Sequence, residues 1–159
     1  MTNQPPPAFL VPVTGMAASL DAVKVACTLA RQRKGRVTVL HVIEVLRSLP
    51  LNAEMEVEAR RGEQLLRKAE EAATHSGYHV SGQLLQAREA GQAIVDEARD
   101  QNADVIVMGI GYKRLIGAFQ VGRTVDFVLK NASCQVWVVR QAVSTAAHNH
   151  GEGPGHGHG

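Results

Sequence analysis

The chain has 159 residues, 45% of them hydrophobic but only 4% aromatic, and a net charge of +2. That length suits one domain with a sizeable core, and a core of Val, Ile, Leu and Ala fits stacked helix and sheet layers better than an aromatic-rich sandwich. The small net charge argues against nucleic-acid binding through an overall field, so any positive potential must be local.

Residues 1–7 are polar and proline-rich and are expected to be disordered. They lack the basic start and apolar stretch of a secretory signal, and no run reaches the roughly 20 apolar residues of a membrane helix. A cytoplasmic protein is expected. Residues 9–13 form a short apolar run that predicts a buried strand, broken by Thr14-Gly15. Leu20, Val23, Cys27 and Ala30 then recur at helical spacing, and Gly35 after the basic RQRK predicts the stop. Residues 36–45 predict a second buried strand, and residues 52–76 a long amphipathic helix with a thin apolar face. Its Glu/Arg-rich stretch reads as a solvated face.

Tyr78, Val80, Gly82 and Leu84 alternate with polar residues, a period of two that predicts an edge strand with one wet face. A short helix over 90–101, an apolar strand over 103–108, a helix over 124–131 and a strand over 135–139 complete the pattern. Strands alternating with helices predict a doubly wound, parallel α/β sheet of about five strands. Cys27 and Cys134 lie in apolar runs and read as small buried hydrophobes rather than redox groups or metal ligands. His41, inside the second strand, reads as a hydrogen-bonded core residue.

Residues 105–140 are the most informative stretch: buried strand, basic glycine-rich loop, helix, buried strand. This order puts backbone N–H groups, a helix N-terminus and cations at the carboxyl end of a parallel sheet, where α/β proteins hold anionic ligands. Residues 141–159 are instead low in complexity, with His148, His150, His156 and His158 among Gly and Pro. This tail is expected to be disordered; its alternating imidazoles could chelate a transition metal, but a solvated tail is the favoured reading and no metal site is assigned to it. The expected organisation is therefore a disordered segment 1–7, an α/β domain 8–140 and a disordered tail 141–159.

Four segments in order, FLVPVTGMAAS from Phe9, LHVIE from Leu40, ADVIVMG from Ala103 and VGRTVDFVLKNASCQVWVVR from Val121, resemble the universal stress protein family across about residues 8–140. The resemblance implies a sheet of order 3-2-1-4-5 with helices on both faces. It also implies that ATP, in members that bind it, occupies the crevice between strands 1 and 4. The family's ATP-binding members carry a glycine, two residues, a second glycine, nine residues, then Gly-Ser or Gly-Thr. Gly109 and Gly122 match the first and third glycines, whereas Tyr112 stands at the second and Arg123 at the Ser or Thr, with Thr124 one place late. The family's ribose-holding acid after strand 1 is here Thr14.

These departures point away from ordinary ATP binding without emptying the crevice. A neutral Thr14 holds ribose hydroxyls less firmly than a carboxylate would. Tyr112 offers a ring to stack on a base. Lys113, Arg114 and Arg123 add charge near a helix N-terminus, with Arg88 on the same sheet edge. The candidate nucleotide-binding residues are Pro12, Val13, Thr14, Val42, Met108, Gly109, Gly111, Tyr112, Lys113, Arg114, Gly122, Arg123 and Thr124, with Val42 and Met108 lining the base pocket. Two readings stay open. In one, the protein is a sensor or adaptor that binds an adenine nucleotide, whether AMP, ATP or a cyclic adenine dinucleotide. In the other, it is a dimeric interaction module that binds none.

Neither reading is enzymatic: no nucleophile stands beside a base, and there are no paired carboxylates near the loop and no P-loop lysine. No cofactor is required. The resemblance implies a homodimer formed through the last strand, where Trp137 is either core or contact, and it makes a membrane transporter or another regulatory protein a candidate partner.

Overall fold

The structure, a computed structural model, describes residues 4–112, 114–115, 118–119 and 121–143. Its elements in chain order are β1 (Ala8–Pro12), α1 (Ala17–Gln32), β2 (Arg36–Glu44), α2 (Glu56–His75), β3 (Ser81–Ala87), α3 (Ala90–Asp100), β4 (Val105–Ile110), the two-residue strands β5 (Arg114–Leu115) and β6 (Ala118–Phe119), α4 (Arg123–Asn131) and β7 (Gln135–Arg140). Five strands pair in parallel in the order β3-β2-β1-β4-β7. Since β7 is the fifth strand of this sheet, this is the 3-2-1-4-5 order. The antiparallel pair of β5 with β6, inside the glycine-rich loop, has no counterpart in the sequence expectation.

Strand period and helix period meet in two cores. Phe9, Val11 and Val13 of the first strand and its exit face one side, against α1 and α2. Leu10 faces the other, with Leu40, Ile106 and Met108, against α3 and α4. All five residues of β1 are buried, as befits the middle of a parallel sheet covered on both faces. The apolar face of α1 is built from Ala18, Ala22, Ala26 and Ala30, four residues apart and essentially inaccessible. Such small side chains bring the helix backbone close to the sheet, which explains how a core with few aromatics is filled. Cys27 is buried in the same face, and burial raises its thiol pKa against the opposing pull of Arg31. Cys134 is half-buried and its pKa is likewise raised, chiefly by desolvation.

The structure corrects several expected details. α2 begins at Glu56 rather than at residue 52, because Gln86 Nε2 donates to the carbonyls of Leu51 and Ala53 and holds that stretch as a turn. β3 runs over Ser81–Ala87, later than the alternating pattern suggested, with Gln83, Leu84 and Leu85 all half-buried. It is nonetheless an edge strand. The left-handed residue after α1 is Lys34, at φ 54°, not Gly35. Gly35 is needed for space, since a Cβ there would lie 2.6 Å from Pro7 O.

One contact decides where α1 starts relative to the sheet. A Cβ on Gly109, near the end of β4, would lie 1.9 Å from Ala18 O and 2.9 Å from Ser19 N. The obstacle is helix backbone and cannot swing aside. Gly109→Ala is therefore expected to destabilise the fold by about 3 kcal/mol, lowering Tm by roughly 6–12 °C in calorimetry.

Candidate nucleotide site

β1, β2 and β4 end on the same side of the sheet, and the chain leaves β1 and β4 for opposite faces. Such a topological switch point opens a crevice in doubly wound sheets, and here a cavity of about 600 Å³ occupies it. Met16 at the N-cap of α1, Ala90 at the start of α3 and Gly122 to Val125 at the start of α4 all line it. Three helix N-termini thus border one space, and each brings unpaired N–H groups and a positive dipole end.

The α4 end offers free N–H groups. Its first intrahelical bond runs from Asp126 N–H to Gly122 O at 3.0 Å, so the N–H groups of Arg123, Thr124 and Val125 have no partner within the helix. No side chain caps it. Gly122 has an ordinary φ of −64°, and a Cβ there would meet nothing within 4 Å. Its value is access to those N–H groups rather than an unusual backbone. Arg123 is exposed beside them and forms no ion pair among the described residues.

The walls are largely aliphatic, from Leu40, Val42, Ile94, Met108, Ile110, Val121 and Val125, which suits a flat base. Among the described residues the polar side chains that line it are Thr14, Ser19, His41, Glu44, Arg123 and Thr124. Thr14 is engaged within the chain. Its N–H donates to Ser19 Oγ at 2.9 Å, its hydroxyl lies 3.1 Å from that same oxygen, and it accepts from Met16 N–H at 3.2 Å. His41 Nδ1 sits 2.8 Å from Val13 O, a contact that needs the proton on Nδ1.

Among the candidates read from the sequence, Pro12, Val13, Thr14, Val42, Met108, Gly109, Gly111, Gly122, Arg123 and Thr124 come together around the cavity. Tyr112 does not line it. Instead the Arg140 guanidinium lies 5.1 Å from its ring centroid, an attraction that draws the loop entrance toward β7. The stacking role expected for Tyr112 is therefore not the arrangement seen. Lys113 lies outside the described residues, and of Arg114 only the backbone, in β5, is described.

Arg88 is also elsewhere, for a physical reason. Its Nη1 lies 2.5, 2.8 and 3.4 Å from the carbonyl oxygens of Leu46, Leu49 and Val45, so its charge holds the loop after β2. Position 14 carries no carboxylate, but Glu44 lines the cavity from the end of β2. Glu44 was legible in principle, because the two-residue period puts it on the face of Leu40 and Val42. Met16, Ser19, Ala90 and Ile94 carried no such signal. Among the described residues no group of three or more His, Cys, Asp and Glu could hold a metal ion, and no helix is long and apolar enough to cross a membrane.

Fold and cavity together define a doubly wound α/β protein with a switch-point site. The sequence pattern of the universal stress protein family matches residues 8–140, and the chain belongs to that family. A universal stress protein of Methanocaldococcus jannaschii is 30% identical over 139 residues, which span 84% of this chain and 81% of that one. The universal stress protein of Archaeoglobus fulgidus in complex with dAMP superimposes with a TM-score of 0.67 at 21% identity, over 84% of this chain and 96% of its own. A family protein of Arabidopsis thaliana with AMP bound gives 0.61 at 18% identity, over 86% and 93% respectively. At such identities these structures share the fold.

The Arg88 contacts predict that Arg88→Ala loosens the loop after β2 at a cost of about 1–2 kcal/mol. Urea unfolding and faster proteolysis within residues 45–53 would register the change.

Proposed function

We propose that this protein is a non-catalytic sensor or adaptor of universal stress type that binds an adenine nucleotide in the switch-point cavity. One observation carries the reading: aliphatic walls meet the uncapped α4 N-terminus and Arg123, which has no ion pair among the described residues, in one space. A base would lie against Val42 and Met108, while a phosphate would accept from the N–H groups of α4 and pair with Arg123. The dAMP and AMP bound by the two family proteins above support an adenine nucleotide as the ligand class. A non-catalytic role is supported by the hydrogen bonding of Ser19 and His41, which ties both to the chain rather than to each other.

The same reading makes the protein a cytoplasmic homodimer paired through β7, whose outer edge has no strand partner among the described residues. Val138 is 38% exposed there, enough to offer an apolar contact. Occupancy would reach a regulatory partner, a transporter among the candidates, through residues 109–123. A second reading, a dimeric interaction module without nucleotide, is favoured by Thr14, whose hydroxyl is already satisfied by Ser19 and Met16.

Calorimetric titration and thermal shift with AMP, dAMP and ATP separate the two. A ligand at 100 times its Kd should stabilise the fold by about 2.7 kcal/mol, and Arg123→Ala should weaken AMP about tenfold, or roughly 1.4 kcal/mol. No shift with any of them at millimolar concentration leaves the interaction module.

A further inference from the structure

Glu44, the last residue of β2, is exposed and lines the cavity. Its carboxylate makes no hydrogen bond or ion pair among the described residues, although two arginines lie close in the chain or across the sheet edge. Arg47 pairs with Glu89 at 3.8 Å, and Arg88 is spent on the carbonyls of the following loop. The carboxylate is left un-neutralised at the end of β2, while Arg123 and the α4 N-terminus line the same cavity. β1 separates β2 from β4, so two strand spacings, about 10 Å, lie between the strand that carries Glu44 and the one that leads toward α4.

A ligand that fits such a space has an anion at one end and hydrogen-bond donors at the other. The carboxylate accepts strongly from neighbouring hydroxyls or an amine and repels phosphate, so it also fixes the direction in which the ligand lies. We infer that Glu44 is the specificity-determining residue of the cavity, reading the donor groups of a nucleoside whose phosphate is held by Arg123 and α4. This rests on the nucleotide reading above. Two sources could supply the donors: the vicinal ribose hydroxyls or the exocyclic amine of the base.

The test is calorimetric titration of the full chain and its Glu44→Gln variant with AMP, dAMP and IMP. Glu44 is exposed, so an unchanged Tm should accompany the substitution, and Glu44→Asp, which keeps the charge, should keep the preference. The expected result is about a tenfold loss of AMP affinity in Glu44→Gln. If the ribose hydroxyls are read, dAMP binds the native chain weakly and does not respond to the substitution. If the amine is read, IMP behaves that way instead. Equal affinities for all three ligands in the native chain, or an unaltered profile in Glu44→Gln, overturns the inference and leaves the nucleotide reading standing. No AMP binding by the native chain overturns both.

Discussion

The architecture of the site depends on the backbone contact between Gly109 and the first turn of α1. Any side chain at 109 would occupy the space of Ala18 O, so the helix can rest on β4 only because that strand has no Cβ there. This contact brings the α1 N-terminus over the carboxyl ends of β1 and β4. In the family's binding pattern Gly109 is the first phosphate-loop glycine, but here its immediate physical task is helix packing. The two uses are compatible: a helix seated this closely is also what narrows the crevice into a cavity.

Parallel topology does the rest. Every strand of the main sheet points the same way, so each of the three crossovers into α1, α3 and α4 delivers a helix N-terminus to one edge. Unpaired N–H groups collect there without any conserved charge being needed, and the field favours an anion. Charged side chains then modulate that field. Arg123 strengthens it at α4, whereas Glu44 opposes it across the sheet. A ligand bound in reverse would place its phosphate beside the Glu44 carboxylate and be repelled there.

Two of the residues that depart from the family's binding pattern, Thr14 and Tyr112, have found work in the chain. Thr14 shares hydrogen bonds with Ser19 and Met16, which tie the turn after β1 to the start of α1. Tyr112 lies against Arg140, so the entrance to the glycine-rich loop is linked to the end of the edge strand. Gln141 N–H donates to Ile110 O at 2.8 Å beside that contact. Loop and edge strand are therefore joined by two interactions, the physical route by which a change at the loop would reach a surface formed by β7.

By itself the sequence determined the layers, the parallel sheet and the general place of the site. These follow from local facts: apolar runs, the two-residue and helical periods, and a glycine-rich loop between strand and helix. It also yielded most of the lining residues that lie in or beside that loop and at the end of β1. The tertiary structure alone decided which charges face the cavity. Arg88 and Arg123 look alike in the sequence, yet one binds the carbonyls of a neighbouring loop and the other stands at a helix N-terminus with no ion pair among the described residues. Tyr112 turns to Arg140, and Glu44 enters from a strand that lies beyond β1 from the loop. The reason is that backbone periodicity is local, whereas the direction of a long polar side chain is set by partners distant in the chain, and those partners are near only once the sheet has formed.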